Sequence, residues 1–150
     1  IIKSAKKKKY INKKNPSTKT FQALRIFINQ ELSELISGLI AATKLLSKGG
    51  ILIIVSFHSL EDRIVKFFFS IYSNFKKNPS RYFPITESKK NLFKLLSKKA
   101  LTPKVDEIKK NIRSRSAKLR FAIRTNDDFF FPTELEKKFQ NYIKLEGTDL

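Results

Sequence analysis

The chain has 150 residues and a net charge of +19, with 32 Lys plus Arg against 13 Asp plus Glu, one His, no Cys and no Met. That length suits one compact domain and hardly two, and the absence of thiols excludes disulfides and thiolate metal sites; a single imidazole leaves no basis for structural zinc. The cationic excess points to a polyanionic partner, although a chain so rich in Lys, Ile, Asn and Phe also matches an AT-rich genome, which makes the 7 Arg more informative than the 25 Lys.

Residues 1–17 are polar and basic (Lys6 to Lys9, Lys13, Lys14), and read as a solvated connector or as a loop touching RNA phosphates. A chain that opens Ile1-Ile2-Lys3 and holds no Met reads as a segment of a longer one. Residues 18–47 carry Phe21, Leu24, Ile28, Leu32, Leu35, Leu39, Ala42 and Leu46 at spacings of three and four, which predicts one long helix. Ser17 or Thr18 would start it and Gly49-Gly50 end it. Ile51 to Phe57 is apolar at successive positions, so a strand buried on both faces is expected. A turn, Ser56 to Ser59, leads into a helix running to about Tyr72; Ser59 and Asp62 have capping-box spacing. Asn78-Pro79 and Phe83-Pro84 mark a loop, 92–97 a short strand, and 104–112 a helical turn. Residues 117–124 alternate, with Leu119, Phe121 and Ile123 on one side and Lys118, Arg120 and Arg124 on the other, which predicts a strand. Pro132-Thr133 opens a last helix with Leu135, Phe139 and Tyr142 on one side.

Three blocks carry a resemblance. The first runs from Thr18 to Ile26 and on to Asn29, Glu31 and Leu32. The second is Gly49-Gly50 followed by Ser56-Phe57-His58-Ser59-Leu60-Glu61-Asp62-Arg63-Ile64-Val65-Lys66. The third is Asn111 to Arg120, with Arg113-Ser114-Arg115-Ser116 at its centre. In order and spacing they resemble the 16S ribosomal RNA cytosine-N4 methyltransferases, the MraW or RsmH family.

The resemblance implies an α/β fold: the C-terminal part of a Rossmann-like methyltransferase sheet, three strands in mixed directions with flanking helices. Residues 1–17 would return from an inserted helical domain, 18–125 form the C-terminal half of the methyltransferase domain, and 126–150 a tail with a short helix. The implied activity is N4-methylation of a cytosine in 16S ribosomal RNA, with S-adenosyl-L-methionine as donor and the small ribosomal subunit as partner. The family's glycine-rich cofactor motif and acidic ribose-binding residue lie earlier in its chains. No cofactor-binding residue is therefore expected in this segment, which would be inactive alone.

Topology adds an argument of its own. Ligands of open α/β sheets bind at the carboxyl ends of the parallel strands. The strand at 51–57 ends at the Ser56–Ser59 turn. The preceding helix brings Gln22 and Arg25 near that edge, and Lys98, Lys99, Arg113 and Arg115 emerge there if 92–97 and 117–124 run parallel and antiparallel to 51–57. The strand at 51–57 should also keep one unpaired edge. His58 and Ser59 are the candidate catalytic groups, and Gln22, Arg25, Lys98, Lys99, Arg113 and Arg115 the candidate RNA contacts. Each has a structural alternative: His58 bonding within its turn, Ser59 and Asp62 capping the helix, Glu61 pairing with Arg63, and Phe67 to Phe69 packing the core. No apolar run reaches the roughly 18 residues of a membrane span, and no signal peptide is recognisable; a cytoplasmic protein without a membrane partner is expected. A non-catalytic basic RNA-binding module and an inactive scaffold are the competing functions.

Overall fold

The computed structural model describes residues 17–73 and 90–147. The expectations for the basic stretch at Lys6 to Lys9 and for the loop at Asn78-Pro79 and Phe83-Pro84 lie outside them.

The long helix expected at 18–47 is two helices, α1 (Thr18–Ile28) and α2 (Glu31–Leu45). Between them Gln30 takes a left-handed conformation with φ of 51°, uncommon for a residue with a Cβ. The break is held by groups far away in sequence. Glu146 lays its buried carboxylate on the amino end of α2, accepting from Leu32 N at 3.2 Å, Ser33 N at 2.9 Å and Ser33 Oγ at 2.7 Å. Those backbone N–H groups have no partner inside the helix, and an anion there also meets the positive end of the helix dipole.

Gly49, at φ 81°, turns the chain into β1 (Ile51–Ser56). There follow α3 (Ser59–Tyr72), β2 (Phe93–Leu95), α4 (Val105–Lys110), a 3-10 turn at Ile112–Ser116, β3 (Lys118–Arg124) and α5 (Thr133–Glu146). The sheet order is β1-β3-β2, and both pairings are antiparallel. The mixed sheet expected from the resemblance is thus corrected for these three strands: β1 and β2 run the same way, but β3 lies between them and no parallel pair forms.

Cross-strand partners share a face. On one face lie Leu52 with Ala122, Ile54 with Arg120, and Ser56 with Lys118. Helix α3 packs on this face, and α5 and α2 pack on α3. The core between them holds Phe68, Phe69, Tyr72 and Phe93 in edge-to-face contacts, with Leu135, Phe139 and Ile143 from α5. On the other face lie Ile51 with Ile123, Ile53 with Phe121, and Val55 with Leu119. Ile51, Ile53 and Val55 remain 56%, 59% and 48% exposed. β1 is therefore buried on one face rather than two. Among the described residues only β3 pairs with it, and its outer edge is unpaired as expected. No helix of the described residues is long and apolar enough to cross a membrane.

Candidate functional site at the carboxyl edge of the sheet

The turn after β1 is built by a capping box one residue earlier than the sequence suggested. His58, not Ser59, is the N-cap of α3: its Nδ1 accepts from Glu61 N at 3.3 Å. The Glu61 carboxylate turns back to accept from Phe57 N at 2.8 Å and His58 N at 3.1 Å. A ring nitrogen does here what a serine hydroxyl usually does, and Glu has the reach that Asp lacks. Ser59 is left as the first helical residue, with its side chain exposed. The expected Glu61–Arg63 pair does not form, because Glu61 is committed to the turn.

The corner between α1 and α2 is latched to this turn. Arg25 holds Glu31 with two parallel bonds, Nε to Oε1 at 2.7 Å and Nη2 to Oε2 at 3.0 Å, and Asn29 Nδ2 donates to Oε1 at 3.2 Å. Glu31 Oε2 in turn stands 3.8 Å from His58 Nε2, and Glu61 Oε1 stands 3.2 Å from it. Burial works to raise the Glu31 carboxyl, but the bonds from Arg25 and Asn29 and the charges of Arg25 and His58 outweigh it and hold it below the ordinary value. Arg25 is raised, first by its bond to Glu31. Gln22 lies three residues before Arg25 on α1, half-buried.

Glu31, His58 and Glu61 place three ligand-type atoms within 4.8 Å of one another. Their chemistry does not suit a cation. Both Glu31 oxygens already accept from Arg25, whose charge would oppose a metal. Nδ1 of His58 is committed to Glu61 N, and the Glu61 carboxylate to the backbone N–H groups of Phe57 and His58. The His58 side chain is 8% exposed, and Nε2 faces two carboxylates without a well-angled hydrogen bond. The cluster is an ionic latch.

A second latch lies across the sheet. Asp62 accepts from Lys118 Nζ at 2.9 Å and Arg120 Nε at 2.8 Å, and Arg120 Nη1 donates to the Lys98 carbonyl at 3.0 Å. Burial pushes the Asp62 carboxyl up; the bonds and charges of Arg120 and Lys118 more than reverse this, and it lies below the ordinary value. Sequence reasoning assigned Asp62 to the helix cap and missed this role, as it missed Glu31 and Glu146. The available signal was the pair of cations, Lys118 and Arg120, on one side of a strand whose neighbours are apolar.

The edge thus gathers most of the expected site. Arg25 reaches the His58 turn through Glu31. Lys98 and Lys99 follow the carboxyl end of β2 and are exposed. Arg113 and Arg115 lie exposed on either side of buried Ser114, in a turn fixed by Asn111 Oδ1 accepting from Arg113 N at 3.1 Å. That turn enters β3 at Lys118, which pairs with Ser56 at the end of β1. Gln22 is not brought into contact with the turn by any hydrogen bond among the described residues.

A family model described as the MraW methylase family matches residues 1–125. Among curated proteins, the chain is similar to a protein named "Ribosomal RNA small subunit methyltransferase H" from Xanthobacter autotrophicus, 53% identical over 114 residues, which are 75% of this chain and 32% of that protein. Proteins of the same name from Bartonella bacilliformis and Ruegeria sp. are 54% and 44% identical, covering 76% and 89% of this chain and 34% and 40% of theirs. The chain spans about a third of the length of the curated relatives it matches.

Proposed function

The chain belongs to the MraW methylase family, and from that premise we propose that it is the C-terminal part of an S-adenosyl-L-methionine-dependent methyltransferase that acts on the N4 of a cytosine in small-subunit ribosomal RNA. In this reading 1–17 return from an inserted domain, 18–125 complete a Rossmann-like sheet, 126–150 close the core from outside it, and the protein works in the cytoplasm.

One observation supports the reading: Arg25, His58, Ser59, Lys98, Arg113 and Arg115 lie along one edge of the sheet, where Arg25 and His58 share a latch with Glu31 and Glu61, Arg120 of the second latch holds the Lys98 carbonyl, and Asn111 holds the Arg113 turn. The rim is cationic, and its carboxylates are engaged by Arg25, His58 and the turn backbone. Such a rim fits RNA phosphates better than a sulfonium, which supports assigning the methyl donor's pocket elsewhere in the protein. That role falls to the portion of the relatives' length that this chain does not match.

When bound, the donor supplies an electrophilic methyl group. This chain supplies position. Arg113, Arg115, Lys98 and Lys99 hold phosphates on both sides of the target, which fixes the register of the strand without reading its sequence. The cytosine must leave its stack to enter such an edge. Its exocyclic amine is a weak nucleophile because its lone pair is shared with the ring, so alignment supplies much of the acceleration. The Ser59 hydroxyl, exposed at the start of α3, offers an acceptor for an amine hydrogen. His58 holds the turn in place while Glu31 and Glu61 hold His58.

The test is transfer of a labelled methyl group to small-subunit RNA by the full-length protein that contains this chain, with digestion and mass analysis of the product. The expected product is N4-methylcytidine. Label on another base, or RNA binding without transfer, overturns the assignment; the latter is the outcome for a non-catalytic basic module or an inactive scaffold.

A further inference from the structure

A cavity of about 420 Å³ opens beside the edge, between α3, the segment after β2, and α5. Its lining is unusual in charge. Arg63, Lys66, Lys98, Arg120 and Lys138 line it, and among the described residues no carboxylate does. Arg120 is occupied by Asp62 and the Lys98 carbonyl, and Lys138 by the face of the Phe67 ring, 3.7 Å from its centroid. Arg63 and Lys66 are exposed and have no partner among the described residues. The floor is apolar and partly aromatic, formed by Phe67, Phe69 and Leu95. Arg63, Lys66, Phe67 and Ser70 recur at helical spacing, so the cations stand at the mouth and the ring beneath them on one face of α3.

From this geometry we infer that the cavity is a binding pocket for one nucleotide of a single-stranded RNA, with its phosphate at Arg63 and Lys66 and its base against Leu95, beside the Phe67 ring that Lys138 covers. Size, charge and floor each narrow the ligand. The volume lies within the range of small-molecule pockets and suits one nucleoside rather than a helix. Two adjacent cations without carboxylate competition suit a phosphate. An apolar floor at Leu95 bordered by cations suits the flat face of a base, because apolar contact and charge act together on single strands. An anionic lipid surface would match the charge but not the enclosed ring. The pocket lies along α3 from about one to three turns beyond His58, so its occupant would be a neighbour of the modified nucleotide rather than that nucleotide. The inference rests on the proposed RNA substrate.

The experiment uses the full-length protein and a single-stranded oligonucleotide of small-subunit RNA sequence, with affinity followed by fluorescence anisotropy over a range of salt. Arg63→Gln/Lys66→Gln is compared with Lys48→Gln/Lys144→Gln, which removes the same charge from exposed sites outside the cavity. The expected result is a loss of about 10-fold or more for the pocket variant only, and a salt slope smaller by about 0.7, the contribution of the one phosphate held there on a single strand. Unchanged affinity for S-adenosyl-L-methionine in both variants shows that the fold is intact. Equal loss in the two variants overturns the pocket and leaves the RNA reading standing. Failure of the wild type to bind the oligonucleotide overturns the RNA reading itself. Adenosine monophosphate binding as tightly as the oligonucleotide shows a free-nucleotide site and overturns the strand assignment.

Discussion

The two faces of the sheet invert the usual arrangement. The face covered by α3 carries Lys118, Arg120 and Arg124 beside Leu52, Ile54 and Ala122, while the open face carries only aliphatic and aromatic residues in its β1–β3 pairs: Ile51, Ile53, Val55, Leu119, Phe121 and Ile123. Charge could be buried on the covered face because each cation has a partner there: Asp62 takes Lys118 and Arg120, and Arg124 Nη1 donates to the Leu92 carbonyl at 3.3 Å. Apolar groups lie open on the other face because nothing in the described residues covers them. Exposure alone would misreport which face matters for the assembled protein. The pattern of residue types, read with the fact that the chain matches about a third of its relatives' length, is the better guide.

The sharpest break of this comparison is Phe68→Ala on the covered side. Phe68 is fully buried among Phe69, Tyr72 and Phe93, and denaturant unfolding should show a loss of about 3–5 kcal/mol. Asp62→Asn follows. Its side chain is 12% exposed, and removing it strands Arg120, itself 13% exposed; the expected cost is about 3 kcal/mol. The sign with pH is defined. The folded Asp62 carboxyl lies below its ordinary value, so its contribution is complete above about pH 4 and fades as pH falls through the folded value. Acid titration of stability should therefore be flatter in Asp62→Asn than in wild type, and parallel curves would contradict the latch. Ile53→Ser probes the open face. In the full-length protein it should cost about 2 kcal/mol, the worth of burying a large aliphatic side chain; a change within about 0.5 kcal/mol would mean the face is solvated there too. The smallest effect is at His58. His58→Ala removes the N-cap acceptor and should cost about 1 kcal/mol, most of which His58→Asn restores. Equal losses in the two variants would show that the ionic contacts with Glu31 and Glu61 matter more than the cap.

Much of the fold was legible. β1, α3 and β3 fall within a residue or two of the expected ranges, and α5 starts where Pro132-Thr133 predicts but runs 14 residues rather than forming a short helix. The break at Gln30 was not legible: the apolar spacing runs through it unbroken, and its cause is a carboxylate 113 residues away in sequence. The single-sided burial of β1 was misread for a related reason, since composition reports the environment a strand is suited to, not the one present in this chain. At the edge, the His58 turn and Lys98 followed from strand direction, the Arg113–Arg115 turn from the strand direction that the resemblance implies, and Arg25 from a helix that proves to be two. Their partners did not, because Glu31, Glu61 and Asp62 each have several cations within plausible reach, and only the register of β1 on β3 and the bend at Gln30 choose among them.

The claim beneath all of this is that RNA meets the protein along the rim where β1 ends and β3 begins. Hydrogen exchange of the full-length protein, with and without small-subunit RNA, reads that location directly. The expected result is slowed exchange in the peptides spanning 56–66 and 111–118, with little change at the Gly49 turn on the opposite end of the sheet. Protection confined to other parts of the protein, with those two peptides exchanging as fast as before, would contradict it.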